Sequence, residues 1–127
     1  MQIDHLVLTG EAIQATCDFY SRVLGMQVVT FAEGRKALQF GKQKINLHQM
    51  GKEFDPKARH PTPGSADLCF LTPTPLEHVI AHLQFCDIPI LLGPIERIGA
   101  IKPLVSLYFR DPGGTSSTSQ MLADRLV

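Results

Sequence analysis

At 127 residues the chain is one domain, or two very small similar halves, and is long enough to bury a real core. Its 44% apolar and 19% charged residues are those of a globular protein, and 12 basic against 12 acidic residues cancel to zero net charge. No basic stripe stands out, which argues against nucleic acid or an anionic membrane as partner.

No run approaches the roughly 18 apolar residues of a membrane span, and the N-terminus has no signal-peptide pattern. Cys17, Cys69 and Cys86 lack metal-type or redox-type spacing and sit among apolar neighbours. They read as buried free thiols, which places the protein in a reducing cytoplasm.

The first predicted element is a short buried strand, Ile3 to Thr9, apolar on both sides of His5. A histidine there is either a hydrogen-bonded core residue or a ligand or acid/base group facing a cavity. Thr9 is placed to cap a helix over about Glu11 to Leu24, in which Ile13, Cys17, Tyr20 and Leu24 fall at helical spacing and Gly25 is the stop. Phe19 and Tyr20 read as core. Met26 to Phe31 and Lys36 to Phe40 form a hairpin around Glu33-Gly34. A further strand, Lys44 to His48, puts Ile45 and Leu47 on one side and Asn46 and His48 on the other. Residues 49–65 are an irregular connector punctuated by Pro56, Pro61, Pro63 and Gly64; Phe54 and His60 within it read either as pocket-lining or, the safer reading, as solvated loop residues.

The opening is then restated. Ala66 to Thr72 resembles the first strand, with Asp67 in the place of His5. Thr74-Pro75-Leu76-Glu77 reads as a capping box starting a helix that ends near Cys86-Asp87. Ile88 to Leu92 reads as a strand, Gly93 to Lys102 as a loop, and Leu104 to Arg110 as another strand, closed by the turn at Asp111-Pro112. Strand, helix, strand, strand, strand is thus written twice, with the last strand missing the second time. The predicted class is α+β, two tandem βαβββ modules whose curved mixed sheets enclose a cavity. The division runs 1–50 for module one, 51–65 for the connector, 66–112 for module two and 113–127 for an atypical tail.

With Asp4-His5-Leu6-Val7-Leu8, Phe19-Tyr20, Val23-Leu24-Gly25-Met26, the Asp67 strand and Phe109-Arg110-Asp111-Pro112, the chain resembles the vicinal-oxygen-chelate superfamily. That superfamily includes glyoxalase I, extradiol dioxygenases and the fosfomycin- and bleomycin-resistance proteins. Arg35-Lys36-Ala37-Leu38, Asn46-Leu47-His48 and Gly51-Lys52-Glu53-Phe54 look like its glyoxalase domain-containing protein 5 branch. The resemblance implies metal ligands on the first and last strand of each half. Carried over, these positions are His5, Asn46 (with His48 two residues on), Asp67 and Thr118, the last not a credible primary ligand. It also implies a divalent Ni, Mn, Fe, Co or Zn ion, a small substrate with two adjacent oxygens, and a homodimer. Under this reading the metal is a Lewis acid in lactoylglutathione lyase-like chemistry and Asp67 the proton-transfer carboxylate. The alternatives are a metal-free, ligand-sequestering protein of the bleomycin-resistance type and an extradiol dioxygenase relative. Arg35, Lys36 and Arg97 read as solvated rather than as a substrate-carboxylate cluster.

After Asp111-Pro112 the family continues with an apolar strand carrying a glutamate, whereas this chain reads Gly113-Gly114-Thr115-Ser116-Ser117-Thr118-Ser119-Gln120. Read across codon boundaries, with Gly114 as GGA, Thr as ACN, Ser as TCN and Gln as CAR, this stretch encodes Asn, apolar residues around one Tyr, His, Asn or Asp, and a small residue. A frame-shifted copy of the family strand accounts for that pattern, whereas a divergent tail does not require it. The coding DNA checks the idea: TCN codons are expected at Ser116, Ser117 and Ser119, and an AGY codon at any of them defeats it.

Overall fold

The computed structural model describes residues 1–112 and the backbone of residues 119–125. Residues 1–66 cluster with Asp111 and Pro112 as one compact unit, and residues 67–110 with 119–125 as another. Each unit has the order strand, helix, strand, strand, strand, as the repeat in the sequence predicts.

In the first unit β1 (His5–Gly10), β2 (Gln27–Phe31), β3 (Arg35–Phe40) and β4 (Gln43–Gln49) form a sheet ordered β1-β4-β3-β2. β1 pairs parallel to β4, and the other pairs are antiparallel. Leu8, Leu38, Ile45 and Leu47 share one face and are buried. The helix α1 (Ile13–Leu24) lies against β2, β3 and β4 and buries Cys17, Phe19, Tyr20 and Val23. Alternation of side chains then leaves the other face for His5, Val7 and Thr9 beside Lys44, Asn46 and His48. The Glu33-Gly34 turn forms as predicted, both residues at positive φ (62 and 81°), in the connection between Phe31 and Arg35.

The helix starts differently from the expectation. Ala12 occupies the N-cap, and Thr9 belongs to β1. The free N-terminal groups are met instead from β4: the Gln49 side chain accepts the Ile13 N–H at 3.3 Å and donates to the Glu11 carbonyl. Gly25 ends α1 in the left-handed region (φ 69°), its N–H donating to Ser21 and that of Met26 to Tyr20.

The second unit holds β5 (Asp67–Leu71), α2 (Leu76–Phe85), β6 (Leu92–Ile98), β7 (Pro103–Arg110) and β8 (Ser119–Arg125), with sheet order β5-β8-β7-β6. The capping box does not form. Pro75 stands at the N-cap, and the Thr74 N–H is held by the Thr72 hydroxyl at 3.1 Å in a turn of its own. The strand expected over Ile88 to Leu92 and the loop after it are also displaced: the strand begins at Leu92 and runs through Gly93-Pro94. A register shift between Leu92 and Ile95 absorbs these residues, and β6 is the sheet's edge, where a proline costs no ladder hydrogen bond. Gly93 cannot be exchanged for a residue with a side chain there: its φ is 110°, and a Cβ would lie 2.4 Å from the Ser106 carbonyl.

The missing last strand is present. β8 lies between β5 and β7, parallel to the first and antiparallel to the second, and no terminal helix occupies 119–125. Two neighbouring strands offer backbone groups that only a strand between them satisfies, and that demand does not depend on side-chain pattern. Thr118 and the possible frame-shift segment 113–118 lie outside the described residues. Of the cysteines, Cys17 and Cys86 are buried as expected, but Cys69 is exposed. It lies on the face of β5 that Asp67 also occupies, two residues along the same alternation.

Two of the phrases that carry the family resemblance meet in the first unit. Tyr20 is fully buried, and its hydroxyl donates to the Asp111 carboxylate at 2.7 Å. Burial first, and the Asp111 charge second, push the phenol far above its ordinary value of 10.0. Tyr20→Phe should therefore cost about 1.5–3 kcal/mol near neutral pH, as for a hydrogen bond to a charged group. The raised pKa makes this stabilisation complete below about pH 10 and lost progressively above it, since the unfolded chain then ionises and the folded one does not. Urea melts of the wild type should consequently fall more steeply between about pH 9 and pH 11 than those of Tyr20→Phe.

Candidate functional site

β1 and β4 set the site. Their parallel register places His5 beside Lys44, Val7 beside Asn46 and Thr9 beside His48, all on the face not covered by α1. His5 is half exposed, and its Nδ1 donates to the Asp4 carboxylate at 2.8 Å. That bond selects the tautomer with Nε2 unprotonated, the arrangement that metal-ligating histidines use. His5 is thus neither buried nor a core histidine. Asn46 Oδ1 is buried and has no hydrogen-bond partner among the described residues. An orphaned buried acceptor is costly unless a donor or a cation meets it.

His48 differs from its neighbour. It is only 3% exposed although it lies on the open face, because the connector folds over it. The Phe54 ring meets its own edge-on at 5.9 Å, and the Arg35 guanidinium stacks over Phe54 at 4.2 Å. Arg35 also reaches Phe31 (5.4 Å), as does Lys44 (4.6 Å). Phe54, exposed as expected at 37%, and Arg35 thus stand beside His48. Nothing periodic marks them, since Phe54 comes from an irregular segment. Lys36 and Arg97 are occupied elsewhere, on Thr30 and on Tyr108.

Burial first, then the positive charges of Arg35 and Lys57, lower the His48 pKa from its ordinary 6.5, with Glu53 opposing. Glu53 itself accepts the Gly51 N–H at 3.1 Å, and the loop's backbone N–H groups hold its carboxyl below the ordinary value.

Asp67 lies in the second unit, exposed at the start of β5. Along that unit's open face Cys69, Leu71 and Leu104, with residues 98–102, line an apolar pocket of about 340 Å³. Asp67 pairs with Ser119 as His5 pairs with Lys44, so by register Met121 is the second-unit counterpart of Asn46. Among the described residues no three His, Cys, Asp or Glu side chains come together as a metal centre. The donors that fit a cation are narrower: the Asp4-braced His5 and the unmet Asn46 oxygen. His48 is drawn away to the connector.

Residues 2–116 match the family model of the glyoxalase/bleomycin resistance protein/dioxygenase superfamily, and the chain belongs to that family. Virulence protein STM3117 of Salmonella typhimurium is 56% identical over 113 residues, 89% of this chain and 78% of that protein. Its crystal structure superposes with a TM-score of 0.95 over 99% of this chain and 98% of the other, at 50% identity. Glyoxalase domain-containing protein RDO1 of Mycosarcoma maydis is 54% identical over 110 residues, 87% of this chain but 62% of its own length. No helix among the described residues is long and apolar enough to cross a membrane.

In metal-free protein the His48 ring should titrate below 6.5, and Arg35→Gln should move its midpoint upward by removing one positive neighbour. Two-dimensional NMR of the ring protons reads both.

Proposed function

We propose that the protein is a metal-dependent enzyme of the glyoxalase type, acting on a small substrate with two adjacent oxygens. The observation that carries this reading is the paired preparation of His5 and Asn46, one braced by Asp4 at 2.8 Å and the other a buried acceptor without a partner. His5 Nε2 and Asn46 Oδ1 would hold the ion. A bound divalent ion supplies Lewis-acid polarisation of the substrate's oxygens. Asp4 keeps the imidazole in the ligating tautomer, and the sheet's alternation keeps His5 and Asn46 on one face. Lyase or isomerase chemistry follows from such a site more readily than extradiol cleavage, which needs a second imidazole on the metal, and His48 is committed to the connector.

A second reading is a metal-free protein that sequesters a ligand on the same open faces. Met121 favours it, since the residue in register as the second-unit counterpart of Asn46 is not a carboxylate. Metal analysis separates the two. Protein prepared without added metal and then offered Ni, Mn or Fe should take up close to one equivalent, with His5→Ala abolishing uptake. Asp4→Asn should weaken it by about 10- to 100-fold, the usual cost of losing the carboxylate behind a metal-bound histidine. Uptake under about a tenth of an equivalent for every ion rejects the enzyme and leaves the binding protein.

A further inference from the structure

The connector does more than join the two units. Pro56, Lys57, Ala58 and Pro61 stand over the His48 end of the open face and line a half-open pocket of about 190 Å³. At roughly 30 Å³ per water molecule this is room for about six waters, or for one small acidic group with its shell. Val7, Pro56 and Pro61 form apolar walls, and the polar groups that line it are the Thr9 hydroxyl, the His48 ring and Lys57. None of these three side chains is hydrogen-bonded or ion-paired to another described residue. His48 as a residue is buried, at 3% exposure.

The net charge around the pocket is positive. Lys57 lines it and Arg35 stands behind Phe54, while Glu53, which opposes them at His48, accepts the backbone N–H of its own turn at Gly51. A cationic ligand is repelled here, and an apolar one leaves the three polar groups unmet. An oxyanion satisfies all three as donors, Lys57 as a charge-assisted one.

We propose that the pocket under the connector is an oxyanion subsite, formed by Thr9, His48 and Lys57, which takes the carboxylate or phosphate group of a small acid. The inference deepens the enzyme reading above by giving its substrate class. His48 and Asn46 are two residues apart on one strand face, about 6–7 Å at the usual rise. A substrate anchored here by its acidic group therefore extends its adjacent oxygens toward Asn46. The acid and the oxygen pair belong to one compact molecule, with only a few bonds between them.

The test uses the whole chain in metal-free form, so that it stands apart from the metal experiment. Inorganic phosphate and acetate are titrated separately to about 50 mM at constant ionic strength in chloride, with methylammonium as the cationic control, while NMR follows the His48 ring and the Lys57 amide. Saturable shifts of both residues are expected with at least one anion and none with methylammonium. The tighter anion identifies the group as phosphate or carboxylate. Lys57→Gln and Thr9→Val should each weaken binding by about fivefold, and Lys36→Gln, whose side chain is bonded to Thr30, should leave it unchanged. Lys57 is exposed, so its variant folds. Absence of a saturable shift with both anions overturns the subsite, as does equal affinity in Lys57→Gln and Thr9→Val. Metal uptake without anion binding would keep the enzyme and discard the subsite, and the reverse would keep the subsite alone.

Discussion

Everything in the first unit depends on the parallel pairing of β1 with β4. A parallel pair needs a long crossover, and α1 with the hairpin supplies it, so the helix falls on one face of the sheet. Once that face is taken by Leu8, Leu38, Ile45 and Leu47, a shift of one residue in register would bury His5 and Asn46 against the helix and expose leucines. The hydrophobic core therefore holds the chemistry in place without touching it. Gln49 couples the two by binding the start of α1 from the end of β4, and Tyr20 anchors the helix to Asp111 on the side of the core.

That logic explains what was legible in the residues. Alternation at Ile45-Asn46-Leu47-His48 is local, and it placed Asn46 correctly; the same parity placed His48 on the right face. The duplicated order was legible because each copy repeats a strand followed at once by a helical pattern. The Gly25 stop and the Glu33-Gly34 turn were legible because their backbone conformations favour particular residue types.

Other features depended on partners distant in the chain. Which atoms would meet the free end of α1 was set by Gln49, 36 residues after Ile13, not by Thr9 or Ala12 nearby. Gly93-Pro94 looks like a chain breaker until β6 is known to be an edge strand with a register shift. The tail looked incapable of a strand because its side chains do not alternate, yet β5 and β7 recruit its backbone. Phe54 and Lys57 come from a segment without periodicity, and only the fold of the connector brings them to His48.

The open face of the first sheet consequently has two poles rather than the single cluster that the sequence suggests. At one, His5 and Asn46 offer neutral donor atoms suited to a cation, and Asp4 keeps the imidazole ready for it. At the other, His48 has left that cluster and joined Lys57 and Arg35 in a positive, connector-covered pocket. A cation held at the first pole and an oxyanion held at the second, as proposed, would attract each other. Electrostatics at that spacing favour a single molecule that is acidic at one end and oxygen-rich at the other, since it brings the two charges together without a separate cost for ordering a second ligand.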